Sequence, residues 1–140
     1  MRRVILALVA LVLLTGASSV PDHSRSEYDA TRTLRVLEAA YLEKDPQKFF
    51  EQVSDSAYFS VLDLKNKIAD HFRDFSQVDL NIVVDYNLPE KDKAVLKTHW
   101  QKRQVRNSSG KLETSEGSAD FIFKAGAKAL VLDIQGDSPF

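Results

Sequence analysis

The chain has 140 residues, enough for one domain, and its 44% apolar and 28% charged content suits a chain that buries a core, which argues against disorder or a coiled coil. Nineteen Lys and Arg against twenty Asp and Glu leave a net charge of −1, so the charge balance favours neither nucleic acid nor an anionic membrane surface. There is no cysteine, which excludes disulfides, thiol catalysis and cysteine-ligated metal.

Arg2 and Arg3 precede an uninterrupted apolar run over 4–14, and the small residues Gly16, Ala17, Ser18 and Ser19 follow. This is the three-part layout of a secretory signal peptide, assigned to 1–19; the apolar run is shorter than the ~20 residues needed to span a bilayer. Cleavage after Ser19 and cleavage after Ala17 both fit, and retention of the segment as an N-terminal anchor is the alternative. Loss of 1–19 removes Arg2 and Arg3, leaving 17 basic against 20 acidic residues, a net of −3. The expected location is outside the cytoplasm, in a bacterial periplasm or extracellular, with no membrane span after cleavage. Export without cysteine leans towards a bacterial envelope protein.

Residues 20–26 are polar with one proline and read as a flexible lead-in to a single domain over 27–140. Ala30, Leu34, Leu37, Ala40 and Tyr41 recur at three- and four-residue spacing and predict a helix over 27–44. Asp45-Pro46 ends it and opens a shorter helix over 46–53 that presents Phe49, Phe50 and Val53. Residues 57–62 form an apolar connector, either a short strand or an irregular crossing. A third helix over 63–75 carries Leu64, Ile68, Phe72 and Phe75.

The period then changes to two, predicting strands over 79–86, 94–105, 112–124 and 129–135. Leu80, Ile82, Val84 and Tyr86 share one face of the first. Leu96, Thr98, Trp100, Ala119, Phe121, Phe123, Leu130, Leu132 and Ile134 are expected to face the helices. Asn107 to Lys111, with Gly110, is a hairpin turn, and Gly117 marks a natural place for a bulge in a long strand. An antiparallel meander with one apolar face is covered on that side by the helices.

Helix, Asp-Pro, short helix, connector, third helix and curved sheet follow in that order. With the stretch 34–50 (LRVLEAAYLEKDPQKFF), the Trp100 strand, the strand over 117–123 and the ending 132–140 (LDIQGDSPF), this resembles the nuclear transport factor 2-like superfamily, also called SnoaL-like. The ending resembles that of small exported bacterial members of unassigned function. The resemblance spans about 27–138 and implies an α+β fold. Three N-terminal helices would pack on a curved, mainly antiparallel sheet, a cystatin-like, cone-shaped half-barrel with a pocket between sheet and helices. Members include isomerases, dehydratases, polyketide cyclases and plain binding domains, so the fold does not choose the function.

His99, Asp120 and Asp133 are the candidates for proton transfer. Alternation places all three on the face opposite Trp100, where they would form at most a surface cluster. The steroid isomerases of the superfamily use an Asp base with a Tyr donor, but Tyr41, Tyr58, Tyr86 and Asp55 match that arrangement at no position. No residue is assigned a catalytic role, no metal-site spacing is present, and no cofactor is expected. Tyr41, Phe59, Phe72, Trp100 and Phe121 are the candidates to line an apolar pocket, or to fill the core instead. The expected function is therefore non-catalytic binding of a small apolar ligand or a partner protein. The alternative is an isomerase or dehydratase working by proton transfer in the cone. A homodimer through the outer sheet face, which carries Lys97, His99, Gln101, Arg103, Glu116 and Asp120, is a further possibility.

Overall fold

A computed structural model describes residues 23–140, with side chains from residue 29 onward; the expected signal segment lies outside the described residues. Helix α1, His23–Leu42, begins four residues before the expected start, so His23 to Ser26 continue the helix and are not a separate lead-in. Its stripe of Ala30, Leu34, Leu37, Ala40 and Tyr41 is buried as one face. The helix ends by a backbone turn in which Asp45 N–H donates to Ala40 O and Lys44 takes φ 55°. Lys44 holds this left-handed position while its ammonium donates to Phe72 O (3.1 Å) and Phe75 O (2.7 Å), placing a cation at the end of a later helix.

Helix α2, Pro46–Phe50, starts where Asp45 caps it: the carboxylate accepts from Lys48 N at 3.0 Å and Pro46 occupies the first turn. It stops three residues short of the expected end. Residues 52–58 instead run irregularly beside the last strand, with Ser54 N–H and Tyr58 N–H donating to Val131 O and Leu132 O. Only Val53, paired with Val131, forms a bridge. Helix α3, Val61–Asp74, is capped by Ser60, which accepts from Asp63 N.

The sheet is an antiparallel meander in the order β1 (Phe75–Pro89), β2 (Lys93–Arg106), β3 (Leu112–Lys124), β4 (Leu130–Gly136), and it does not close on itself. Bulges set its faces. Asp85 is the extra residue between Val84, opposite Thr98, and Tyr86, opposite Lys97. Tyr86 therefore turns outward and is 66% exposed, contrary to the plain alternation that put it beside Ile82. A second irregularity, between Ile122 and Phe123, pairs Phe123 with Val131; Val131 becomes the fully buried residue of β4, while Leu130 is only partly buried. At Gly117 the pairing with Trp100 is regular, so the bulge expected there is absent.

Ala94, Leu96, Thr98, Trp100, Ala119, Phe121 and Phe123 form the buried inner face, and α1 packs on it across β1 and β2. Burial of each large side chain contributes about 1.5–3 kcal/mol relative to exposure. The free edge of β1 is also covered. Arg35 donates to Ile82 O at 2.7 Å, and Glu38, ion-paired to Arg35, accepts from Ile82 N at 2.8 Å.

Candidate functional site

Between sheet and helices, where a cone-shaped fold would hold a ligand, residues 137–140 fold back into the opening. Gly136, at φ 90°, makes the turn; a Cβ there would meet Ser118 O at 2.7 Å. Asp137 N donates to Ser118 O, and Asp137 O accepts from the Trp100 indole at 2.7 Å. Pro139 O accepts from Lys102 Nζ at 2.8 Å. The Phe140 ring lies edge-on to Tyr41 (5.1 Å between centroids), Phe49 (4.9 Å) and Phe121 (6.1 Å), and is 3% exposed. The cone is thus full of its own chain.

Beneath this plug lies a line of polar side chains. Extending the alternation of β2 past Trp100 brings Lys102, Gln104 and Arg106 to the inner face. Arg106 pairs with Glu113 at 2.6 Å, and that pairing, with a bond from Gln104, holds the Glu113 carboxyl below its usual range. The Gln104 amide nitrogen therefore faces Glu113, and its oxygen faces His71, 2.6 Å from Nε2. In the tautomer that donates Nε2–H to Gln104, Nδ1 accepts from Tyr41 Oη at 2.9 Å; the same hydroxyl lies 3.2 Å from Nε2.

Burial lowers the His71 pKa from its ordinary 6.5, with Lys102 and Lys44 adding to the effect and Gln104 opposing it. Burial also pushes the Tyr41 phenol well above its ordinary value. Lys102 Nζ sits 3.5 Å from Tyr41 Oη and over the Tyr41 and Trp100 rings, and burial lowers its pKa to about 8. A neutral imidazole, a phenol and a readily deprotonated amine can relay a proton in principle. Here the phenol meets no open space, since Tyr41 is 1% exposed.

An open groove lies outside the cone. A groove of about 680 Å³ runs between α2 and α3, with Pro46, Phe50, Ala69 and Phe72 as its apolar floor and Lys44 and Lys65 at the rim. A smaller hollow of about 260 Å³ lies beside the plug, between Phe59, Leu64, Lys67 and Ser138.

The five pocket-lining candidates thus separate. Tyr41, Trp100 and Phe121 are buried around the plug, Phe72 lines the α2–α3 groove, and Phe59 lines the hollow beside Ser138. The surface cluster of His99, Asp120 and Asp133 does not form. His99 pairs with the bulge residue Asp85 at 2.7 Å, Asp120 with Lys97, and Asp133 bonds to Ile134 N and Gln135. Lys102, Gln104 and His71 were not singled out by sequence, although the same alternation that placed Trp100 inward places Lys102 and Gln104 there too. Among the described residues no group of acidic or histidine side chains is arranged to hold a metal, and no helix is long and apolar enough to cross a membrane.

Comparison with known proteins locates this fold. No family model and no curated protein matches the chain. Among solved structures, a conserved protein of Planctomyces limnophilus is similar with a TM-score of 0.72 at 12% identity, over 81% of this chain and 99% of that one. A ketosteroid isomerase-like protein of Erwinia carotovora gives 0.66 at 10%, over 81% and 98%. A nuclear transport factor 2-like superfamily protein of Salmonella enterica gives 0.65 at 14%, over 84% and 93%.

Proposed function

We propose that this chain, which has the nuclear transport factor 2-like fold, is an exported, non-catalytic binding domain that takes a small apolar ligand in the groove between α2 and α3. One observation carries the reading: Pro139 and Phe140 occupy the cone where a reacting group would have to meet its substrate, while Phe50 and Phe72 face an open apolar groove. Its volume, about 680 Å³, is in the usual range for small-molecule sites. Export rests on Arg2, Arg3 and the apolar run that follows them.

The test uses N-phenyl-1-naphthylamine, a neutral apolar fluorophore. Binding should raise its emission, and Ala69→Glu, which sets a carboxylate on the exposed groove floor, should abolish that rise without lowering the melting temperature by more than a degree or two. No binding of this probe or of other neutral lipophiles overturns the proposal.

A proton-transfer enzyme of the isomerase or dehydratase kind is the second reading. The observation in its favour is the chain of bonds from Tyr41 through His71 to Gln104, and a ketosteroid isomerase-like protein stands among the structural neighbours. Conversion of a β,γ-unsaturated ketone to its conjugated isomer, lost in Tyr41→Phe, would replace the first reading by this one.

A further inference from the structure

The floor of the groove between α2 and α3 is apolar, but its rim is charged, and the charges there are not equivalent. Lys44 is committed: its ammonium donates to Phe72 O at 3.1 Å and to Phe75 O at 2.7 Å. Glu51 accepts a long bond, 3.4 Å, from the Gln47 side chain. Lys65 makes no ion pair with a carboxylate among the described residues. Its ammonium instead stands 5.3 Å from the centroid of the Phe50 ring, drawn over the groove floor by the negative face of the ring. An exposed lysine is thus held at the apolar surface with its charge unanswered.

The groove also has a direction. Lys65, Ala69 and Phe72 follow one another at spacings of four and three along α3, so they share one face of that helix and all three line the groove. At 1.5 Å of rise per residue, Lys65 stands about 10 Å from Phe72 along the helix axis. The free cation therefore lies at one end of an apolar track, and the cation at the other end, Lys44, is already satisfied by helix-end carbonyls. Two lysines against Glu51 leave the rim one positive charge in excess. Asp55 shares a neighbouring hollow with Phe50 and Lys65, so a ligand carrying two negative charges would meet two carboxylates near its head.

We propose that the ligand of the α2–α3 groove is a medium-chain fatty acid, its carboxylate on the Lys65 ammonium and its alkyl chain laid along Phe50, Ala69 and Phe72. This rests on the groove reading given above and adds to it the charge and the shape of the ligand. Burial of the chain against the floor supplies most of the affinity, in proportion to the apolar area removed from water. The charge-assisted bond at Lys65 sets which end of the molecule lies where. One negative charge matches the single excess positive charge of the rim.

Decanoate and 1-decanol, alike in chain and different in charge, are each titrated against N-phenyl-1-naphthylamine bound to the full chain. Decanoate should displace the fluorophore at the lower concentration. The readout is the ratio of the two affinities, with decanol as the reference within each variant. Lys65→Met keeps an unbranched apolar side chain and removes the charge; it should cut that ratio about fivefold, near the top of the range for an exposed ion pair. Glu51→Gln should raise the ratio about twofold. Added sodium chloride should lower it in the wild type and leave it unmoved in Lys65→Met, a difference that a merely structural role for Lys65 would not produce. If the fluorophore binds but Lys65→Met leaves the ratio unchanged, or decanol displaces it at a lower concentration than decanoate, the inference is overturned and the groove reading stands. Decyl phosphate displacing it at a lower concentration than decanoate would overturn the assignment of a singly charged carboxylate. Absence of any binding by the fluorophore or by other neutral lipophiles removes the groove reading and this inference with it.

Discussion

Replacing Lys102 with methionine should flatten the rise in stability that the wild-type protein shows between about pH 8 and 9.5. The ammonium faces Pro139 O and two aromatic rings, and burial first, then the charge of Lys67, lowers its pKa from the ordinary 10.5 to about 8. Because the folded value lies below the unfolded one, the unfolded chain holds more protons across that window. The free energy of unfolding therefore rises with pH. At about 1.4 kcal/mol per pH unit the whole gap corresponds to roughly 3 kcal/mol. The side chain still reaches solvent, which screens the effect to about 1–2 kcal/mol.

Urea unfolding at pH 7.5, 8.5 and 9.5 measures it, below the region where the phenol of Tyr41 complicates the balance. Wild type should gain about 1 kcal/mol more than Lys102→Met between the first and last of these. Losing the bond to Pro139 O lowers the variant by about 1 kcal/mol at every pH, so the slope and not the level carries the argument. Equal slopes would refute the placement of Lys102 as a half-buried cation without a carboxylate partner.

Gly117→Ala should lower stability by about 1–3 kcal/mol, because the added methyl would sit 2.7 Å from Trp100 Cζ2 and 2.8 Å from Asp137 Cβ; an unchanged melting temperature would show that the indole does not lie across Gly117. Glu38→Ala removes the acceptor of Ile82 N–H at the β1 edge and should cost about 1–3 kcal/mol in urea unfolding, against a few tenths if that amide finds water instead. His71 is held neutral in the folded state, below its ordinary 6.5. Its contribution is therefore present above pH 6.5 and lost as pH falls; His71→Gln should lose less stability than wild type on going from pH 7 to pH 5, and equal losses would contradict that placement. The protein recovered from an expressing bacterium should begin at Val20 or Ser18 by N-terminal sequencing, and a chain beginning at Met1 would contradict export with cleavage.

Much of this molecule follows from the order of its residues alone. Spacings of three and four fixed the buried stripe of α1, Asp45-Pro46 marked where α2 begins, and alternation put Leu96, Trp100 and Phe121 on the inner face and His99 on the outer. These are local effects, set by helix and strand periods and by which side chains satisfy free amides. The bulges at Asp85 and beside Phe123 carry no comparable local signal, so Tyr86 and Leu130 went to the wrong face. Each bulge is decided by how two strands twist past one another and over the helices.

The candidate site was less legible still. Tyr41 and His71 are far in the chain from Lys102 and Gln104, and only tertiary contacts between their side chains bring the four together. Nothing in the spacing of Pro139 and Phe140 reveals that they enter the cone. That depends on Gly136 turning the chain back, on Trp100 and Asp137 packing closely over Gly117, which has no side chain in their way, and on acceptors meeting Trp100 and Lys102 at the right distance. The sequence determined which residues are helix, strand and core, because those preferences act over a few neighbouring residues. Only the tertiary structure decided that the cone is filled by its own chain, because that outcome is a competition among contacts between residues many positions apart.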